Sequence, residues 1–226
     1  VTLQRVRVRF GRGHEAIFVT HLEQIELIKK TFLASPWPVA KSEGRRARPR
    51  ISFGPAISVG YLSESEYCDV ELNSRFDLDK AGGALAPHLP SGYELLQIKS
   101  IPRFFPSLEE TLNLAHFRIQ SQYLAGTLPK WEEFWKKGSF FVTKKKEDRE
   151  VAIDARPLVK SWQLENGELN LFLRFGPGRT LKPEKVVQAV CGFSDIEVKL
   201  GLGEGDLKVN RRQLYFEKDN GVLSEP

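Results

Sequence analysis

Residues 3–10, LQRVRVRF, alternate Val and Phe with Arg. This period of two is that of a strand with one buried face and one basic face. Gly11-Arg12-Gly13 makes a turn, and Ala16–Val19 reads as a short continuation. Thr20-His21-Leu22-Glu23 has the capping-box pattern, in which the Thr20 side chain accepts from the amide of Glu23 and Glu23 reaches back. Leu22, Ile25, Ile28 and Phe32 follow at helical spacing, and Pro36 and Pro38 forbid continuation. Arg50–Phe53 and Ala56–Val59 read as extended. Glu66–Leu72 alternates as a strand, with Cys68, Val70 and Leu72 or else Tyr67, Asp69 and Glu71 facing inward. Asp77 is placed to cap a helix over 78–89, weakened by Gly82-Gly83, and Tyr93–Ile101 is a further strand. The order is β-α-β-β-α-β, that of a ferredoxin-like unit.

Pro102–Pro106, PRFFP, reads as a linker, after which the pattern restarts. A strand is expected over 113–124, then a helix opened by Thr127 and Pro129 with Trp131, Phe134 and Trp135 on one face. Strands follow at 139–144, 150–154 and 158–164. Asn166-Gly167 predicts a hairpin into 168–175, a helix opens near Thr180 and Pro183 and runs through Cys191, and a last strand covers 208–217. The expectation is an α+β protein of two tandem ferredoxin-like (βαββαβ) units with antiparallel sheets. The first domain is 1–104 with a basic loop and the second 107–226, a duplication of architecture with no visible sequence repeat.

Charge adds a direction to this picture. The 226-residue chain is +5 overall, yet residues 1–50 hold eleven Lys/Arg against four Asp/Glu, a surplus of seven. Five of those cations, Lys41, Arg45, Arg46, Arg48 and Arg50, fall in ten residues. A charge run is ordinarily a solvated loop. With Arg7 and Arg9 on the polar side of the first strand, it also fits a phosphate-rich partner such as RNA. No apolar run reaches the length of a membrane span, and the N-terminus has no apolar signal core, so a cytoplasmic chain with no membrane partner is expected. Cys68 and Cys191 lack metal-ligand spacing and read as buried thiols; with no metal cluster, no cofactor is expected.

Few residues offer chemistry. His21 sits on the first turn of its helix, where the dipole favours the neutral imidazole, suited to a base or a phosphate donor or to a merely structural hydrogen bond. His14, His88 and His116 read as structural or exposed. Gly201-Leu202-Gly203-Glu204-Gly205 is a glycine-rich loop, a plain turn or a phosphate cradle, and lacks the dinucleotide spacing. Asp154 and Arg156 end a strand and are placed to pair with each other. No nucleophile triad or carboxylate pair appears.

Three segments carry a family resemblance. FVTHLEQIEL at 18–27 resembles the F-L-S-H-L-D-L motif of the radical-SAM-linked proteins, a bacterial domain of unknown function encoded beside or fused to a cobalamin-binding radical SAM protein. SEGRRARPRISFGPAISVGYLSESEYCDVEL at 42–72 resembles that family's S-Q-G-F-N-P-H-P-K-I-S-F-A-P-P-L-P-L-G and S-E-x-E-Y-x-D-V-E-L, and IDARP at 153–157 its D-x-R-P. The matching positions are Thr20, His21 and Glu23; Ser42, Gly44, Pro49, Ser52 and Phe53; Gly60, Ser65, Glu66, Tyr67 and Asp69; then Asp154, Arg156 and Pro157. Glu23 replaces an Asp, and Arg45, Arg46 and Ala47 replace an aromatic, an Asn and a Pro. The resemblance implies a radical SAM protein as partner and work on RNA. The expected function is an RNA-binding or substrate-presenting accessory protein in tRNA or rRNA modification, non-catalytic. The alternatives are a metal-independent endoribonuclease using His21 and a protein–protein adaptor without RNA contact. The nucleic-acid face is expected to join Arg7, Arg9, His21, Lys41, Arg45, Arg46, Arg48 and Arg50.

Overall fold

The computed structural model describes residues 2–146, 149–177, 180–194, 198–203 and 205–226. It is an α+β protein that divides into two compact units, residues 1–112 with 226, and residues 113–225.

In the first unit, β1 (Gln4–Arg12) buries Val6, Val8 and Phe10. The alternation of β1 places Arg5, Arg7 and Arg9 on the other face. α1 (His21–Ala34) carries the complete Thr20/Glu23 capping box, and the hydrogen bonds from Thr20 hold the Glu23 carboxyl below its ordinary range. Its buried stripe is Gln24, Ile28, Thr31 and Phe32, whereas Leu22 lies 74% exposed, so the helix is rotated from the face that its apolar spacing predicts. The reason is a buried polar network. Gln24 donates to Glu66 Oε2 at 2.9 Å, and Arg12 lies 1% exposed with its guanidinium on the carbonyls of Ile17 and Val19 at 2.8 and 2.7 Å. β2 (Ile51–Phe53) pairs with β3 (Tyr61–Leu72), a strand five residues longer at its start than expected. α2 (Leu78–Leu85) is capped by Asp77 and gives way to a 3-10 turn, and β4 (Tyr93–Ile101) follows. The strands run β4-β1-β3-β2, each pair antiparallel. Cys68, Val70 and Leu72 join Val6, Val8, Ile28, Phe32 and Trp37 in the core. The 102–106 segment, expected as a linker, stays with this unit: Phe105 lies 5.5 Å from the Arg7 guanidinium, and α3 (Leu108–Thr111), capped by Ser107 and Glu110, ends the unit.

In the second unit, β5 (Leu114–Gln120) leads to α4 (Leu128–Lys136). Next come a separate hairpin of β6 (Phe141–Lys146) and β7 (Arg149–Asp154), then β8 (Val159–Glu165) and β9 (Glu168–Arg174). Asn166 and Gly167 both take positive φ, at 50° and 76°, as the Asn-Gly pair predicts. α5 (Pro183–Cys191), β10 (Lys208–Glu217) and β11 (Leu223–Ser224), paired to β10, complete the unit. Its main sheet runs β10-β5-β9-β8, again antiparallel. Trp131 packs edge-on to Phe134 and 5.5 Å from Trp162 under this sheet. Cys68 and Cys191 are both free and buried, and burial pushes both thiols up. No helix among the described residues is long and apolar enough to cross a membrane.

Candidate nucleic-acid interface

The basic segment 41–50 is an ordered tongue. Its base continues the sheet: the amide of Ala40 donates to Glu71 O at 2.8 Å, Glu71 N to Arg50 O at 3.0 Å, and Arg50 N to Ala40 O at 2.8 Å. Lys41 bridges Pro49, Ser42 N donates to Arg48 O, and Arg48 N returns to Ser42 Oγ at 3.0 Å. Gly44 turns the tip at φ 105°. The matched family positions Ser42, Gly44 and Pro49 are thus the joints of the tongue. Arg50 pairs with Glu71 at 2.9 Å. The side chains of Lys41, Arg45, Arg46 and Arg48 are exposed, and among the described residues no hydrogen bond or ion pair engages them. The tongue therefore presents four uncommitted cations from a backbone fixed at its base.

The strand arginines differ from the expected phosphate contacts. Arg7 is 2% exposed, and its Nε and Nη2 donate to Asp69 Oδ1 and Oδ2 at 2.6 and 2.8 Å. Arg5 adds a third bond to Asp69 Oδ2 at 2.7 Å. Register explains the clamp, because Arg7 and Asp69 are directly opposed on β1 and β3. A guanidinium held by a buried carboxylate has no fork left for a phosphate. Arg9 is half-buried, donates to Glu64 O at 2.7 Å and lies 5.9 Å over the Tyr67 ring. Ser52 stands opposite Asp69 on β2, and Phe53 packs against the core. The family's D-V-E-L stretch is thus a charged sheet face tied to the strand arginines.

His21 also departs from the expected single face. Gly60 N donates to Ile17 O at 2.7 Å, which fixes the segment entering α1 at the start of β3. The tongue hangs from Glu71 near the end of the same strand. From Gly60 to Glu71 is roughly 35 Å at about 3.3 Å per residue. The segment that enters α1 and the base of the tongue therefore meet β3 at opposite ends.

In the second unit, Asp154 and Arg156 do not pair as side chains. Asp154 Oδ1 accepts from the amides of Phe140 and Arg156 at 2.8 and 3.0 Å, and the Arg156 guanidinium lies 3.7 Å over the Trp135 ring. The motif is a turn clasp beside a stacked cation. The glycine-rich loop is filled from within. Asp206 Oδ2 accepts from Gly203 N at 2.9 Å and sits 2.1 Å from where a Cβ on Gly201 would be. A carboxylate in that position opposes a phosphate, so the described part of the loop is a turn. One polar feature escaped the sequence reading, a cleft of 770 Å³ whose lining includes Gln120, Gln122, Asn166 and Asn170. Its lining comes from three separate stretches of chain; the Asn166-Gly167 turn and Gly203 and Gly205 of the glycine-rich loop are each visible in the sequence, but nothing local brings them together.

The fold and surface define a two-unit α+β protein with an ordered basic tongue. Residues 5–183 match the model of a family described as an uncharacterized protein conserved in bacteria (DUF2344), and the chain belongs to that family. It is the family that the three motifs resemble, one often encoded near or fused to radical SAM genes. No curated protein matches the chain.

Proposed function

We propose that this chain is a non-enzymatic accessory protein of a radical SAM system and that its tongue grips RNA. One observation carries the reading: Lys41, Arg45, Arg46 and Arg48 project from an ordered hairpin with no protein acceptor among the described residues. Uncommitted arginines on a fixed backbone suit the bidentate binding of successive phosphates. The order β-α-β-β-α-β in unit 1, with the same order around an inserted hairpin in unit 2, supports reading each unit as a ferredoxin-like domain. The endoribonuclease reading needs His21 and the cations on one scissile phosphate, and the separation of their attachment points along β3 counts against it. Filter binding of tRNA and rRNA fragments to the full chain, with and without Arg45→Glu, Arg46→Glu and Arg48→Glu together, tests the proposal. The wild type should bind at low salt and the triple variant weakly; equal binding by the two would overturn it.

A further inference from the structure

The sheet of unit 2 has two unlike faces. Phe117, Ile119, Leu169, Leu171 and Val209 are buried on one. Their neighbours on the other are polar or aromatic, and the register sets them side by side. His116 opposes Phe172, Arg118 opposes Asn170 and Asn210, and Gln120 opposes Glu168 and Lys208. His116 and Phe172 are half-buried and stacked, with ring centroids 4.3 Å apart and planes 3° from parallel. Asn170 Oδ1 lies 2.9 Å from His116 Nε2, which ties the stack to the next pair along the strands. Asn170, Gln120 and Lys208 also line the 770 Å³ cleft, whose walls carry the amides of Gln122 and Asn166. One surface thus joins a ring stack, flanking cations, several amide side chains and the carboxylates of Glu165, Glu168 and Asp206, a lining that suits the donors of base edges rather than phosphates.

We propose that this cleft and the His116–Phe172 stack bind the bases of single-stranded RNA, a base-reading site in unit 2 that complements the phosphate grip of the tongue. The inference rests on the reading of the chain as an RNA binder. Side-chain amides carry donor and acceptor together and match the Watson–Crick edge of an unpaired base. Paired aromatic rings offer a base a stacking partner, and every base has a face to stack. Burial of His116 pushes its pKa down, so the ring is neutral at pH 7 and adds no charge to repel Arg118. Lys208 and Arg118 supply the positive charge that a backbone crossing β10 and β5 requires. A duplex hides its base edges and faces, so the site discriminates against it.

The test is fluorescence anisotropy of the full chain with a labelled single-stranded RNA octamer, the same sequence as a duplex, and the four nucleoside monophosphates as competitors. Phe172→Leu keeps an apolar side chain, and Gln122→Ala changes an exposed position, so at least the second leaves the fold intact. Phe172→Leu is expected to weaken single-strand binding roughly five- to hundredfold while duplex binding stays constant. Gln122→Ala is expected to alter preference among octamers of different sequence. Crosslinks from 4-thiouridine octamers to the wild type should map to 114–124 and 166–174. Unchanged single-strand affinity in both variants, with no crosslinks in those peptides, would overturn the site. Monophosphates that compete as tightly as the octamer would also overturn it, by making a free nucleotide the ligand. If Arg45→Glu, Arg46→Glu and Arg48→Glu abolish RNA binding while Phe172→Leu leaves it intact, the tongue reading stands and this one falls. The converse result overturns the tongue and supports the cleft.

Discussion

Asp69 accepts from Arg5 and from both ends of the Arg7 fork, and both Asp69 and Arg7 are almost wholly buried. Removing one partner of a buried ion pair strands the other charge, which costs about 3–5 kcal/mol. Asp69→Ala should therefore lower unfolding free energy by about that amount in urea titrations. Replacing Arg7 by Leu in the same chain should recover much of the loss, because the stranded guanidinium is gone. Glu217 responds to pH in a defined direction. The hydrogen bonds of Arg174, at 2.6 and 3.0 Å, and of Lys160, at 2.5 Å, bring its pKa from 4.5 down to about 2. A depressed carboxyl pKa adds stability that is fully present above pH 4.5 and disappears as pH falls toward 2. The urea midpoint of the wild type should fall through that window, and Glu217→Gln should flatten this part of the fall while lowering stability at pH 7.

At the scale of elements, the loop 201–206 makes a sharper prediction than its glycines alone. A Cβ on Gly201 would displace the Asp206 carboxylate from Gly203 N. Gly201→Ala should cost about 1 kcal/mol, the net worth of one hydrogen bond, and almost nothing once Asp206 is already Ala. Thermal melts of the two single variants and the double variant measure that coupling. The same loop shows where sequence reasoning stops. G-x-G-x-G is visible along the chain, but the atom that needs the glycines belongs to a folded side chain. Features closed within a few residues were legible: the Thr20/Glu23 capping box, the Asp77 cap and the Asn166-Gly167 hairpin all form. Features closed by distant partners were not. Ser63 and Ser65 are polar yet buried, so the start of β3 does not read as a strand. Gln24 looks like a surface residue until Glu66 arrives from 42 positions away, and its burial turns α1 off its apolar spacing. The tongue was legible as charge. That Arg7 is excluded from it was not, because Asp69 lies 62 positions on.

For the whole molecule, the arrangement of charge matters more than its sum. Net charge is +5, but the first 50 residues hold a surplus of seven, so the rest of the chain is slightly acidic. Within that surplus Arg5 and Arg7 share the carboxylate of Asp69 and Arg50 pairs with Glu71, while Arg12 is buried on carbonyl oxygens. What reaches an external anion is concentrated at Lys41, Arg45, Arg46 and Arg48. A diffuse basic surface and a four-residue tongue bind RNA with different salt laws. Each neutralised phosphate of a single strand contributes about −0.7 to the slope of log K against log salt, so four contacts give a slope of about −3. Affinity for a single-stranded fragment should then fall roughly fiftyfold between about 50 and 200 mM salt. Charge reversal at Arg45, Arg46 and Arg48 should make the slope shallower by about 2, whereas Arg7→Gln, which alters a buried residue, should leave it unchanged wherever the fold survives. A slope that stays near −3 in the triple variant would move the contacts off the tongue, and one that shifts with Arg7→Gln would return them to the strand face.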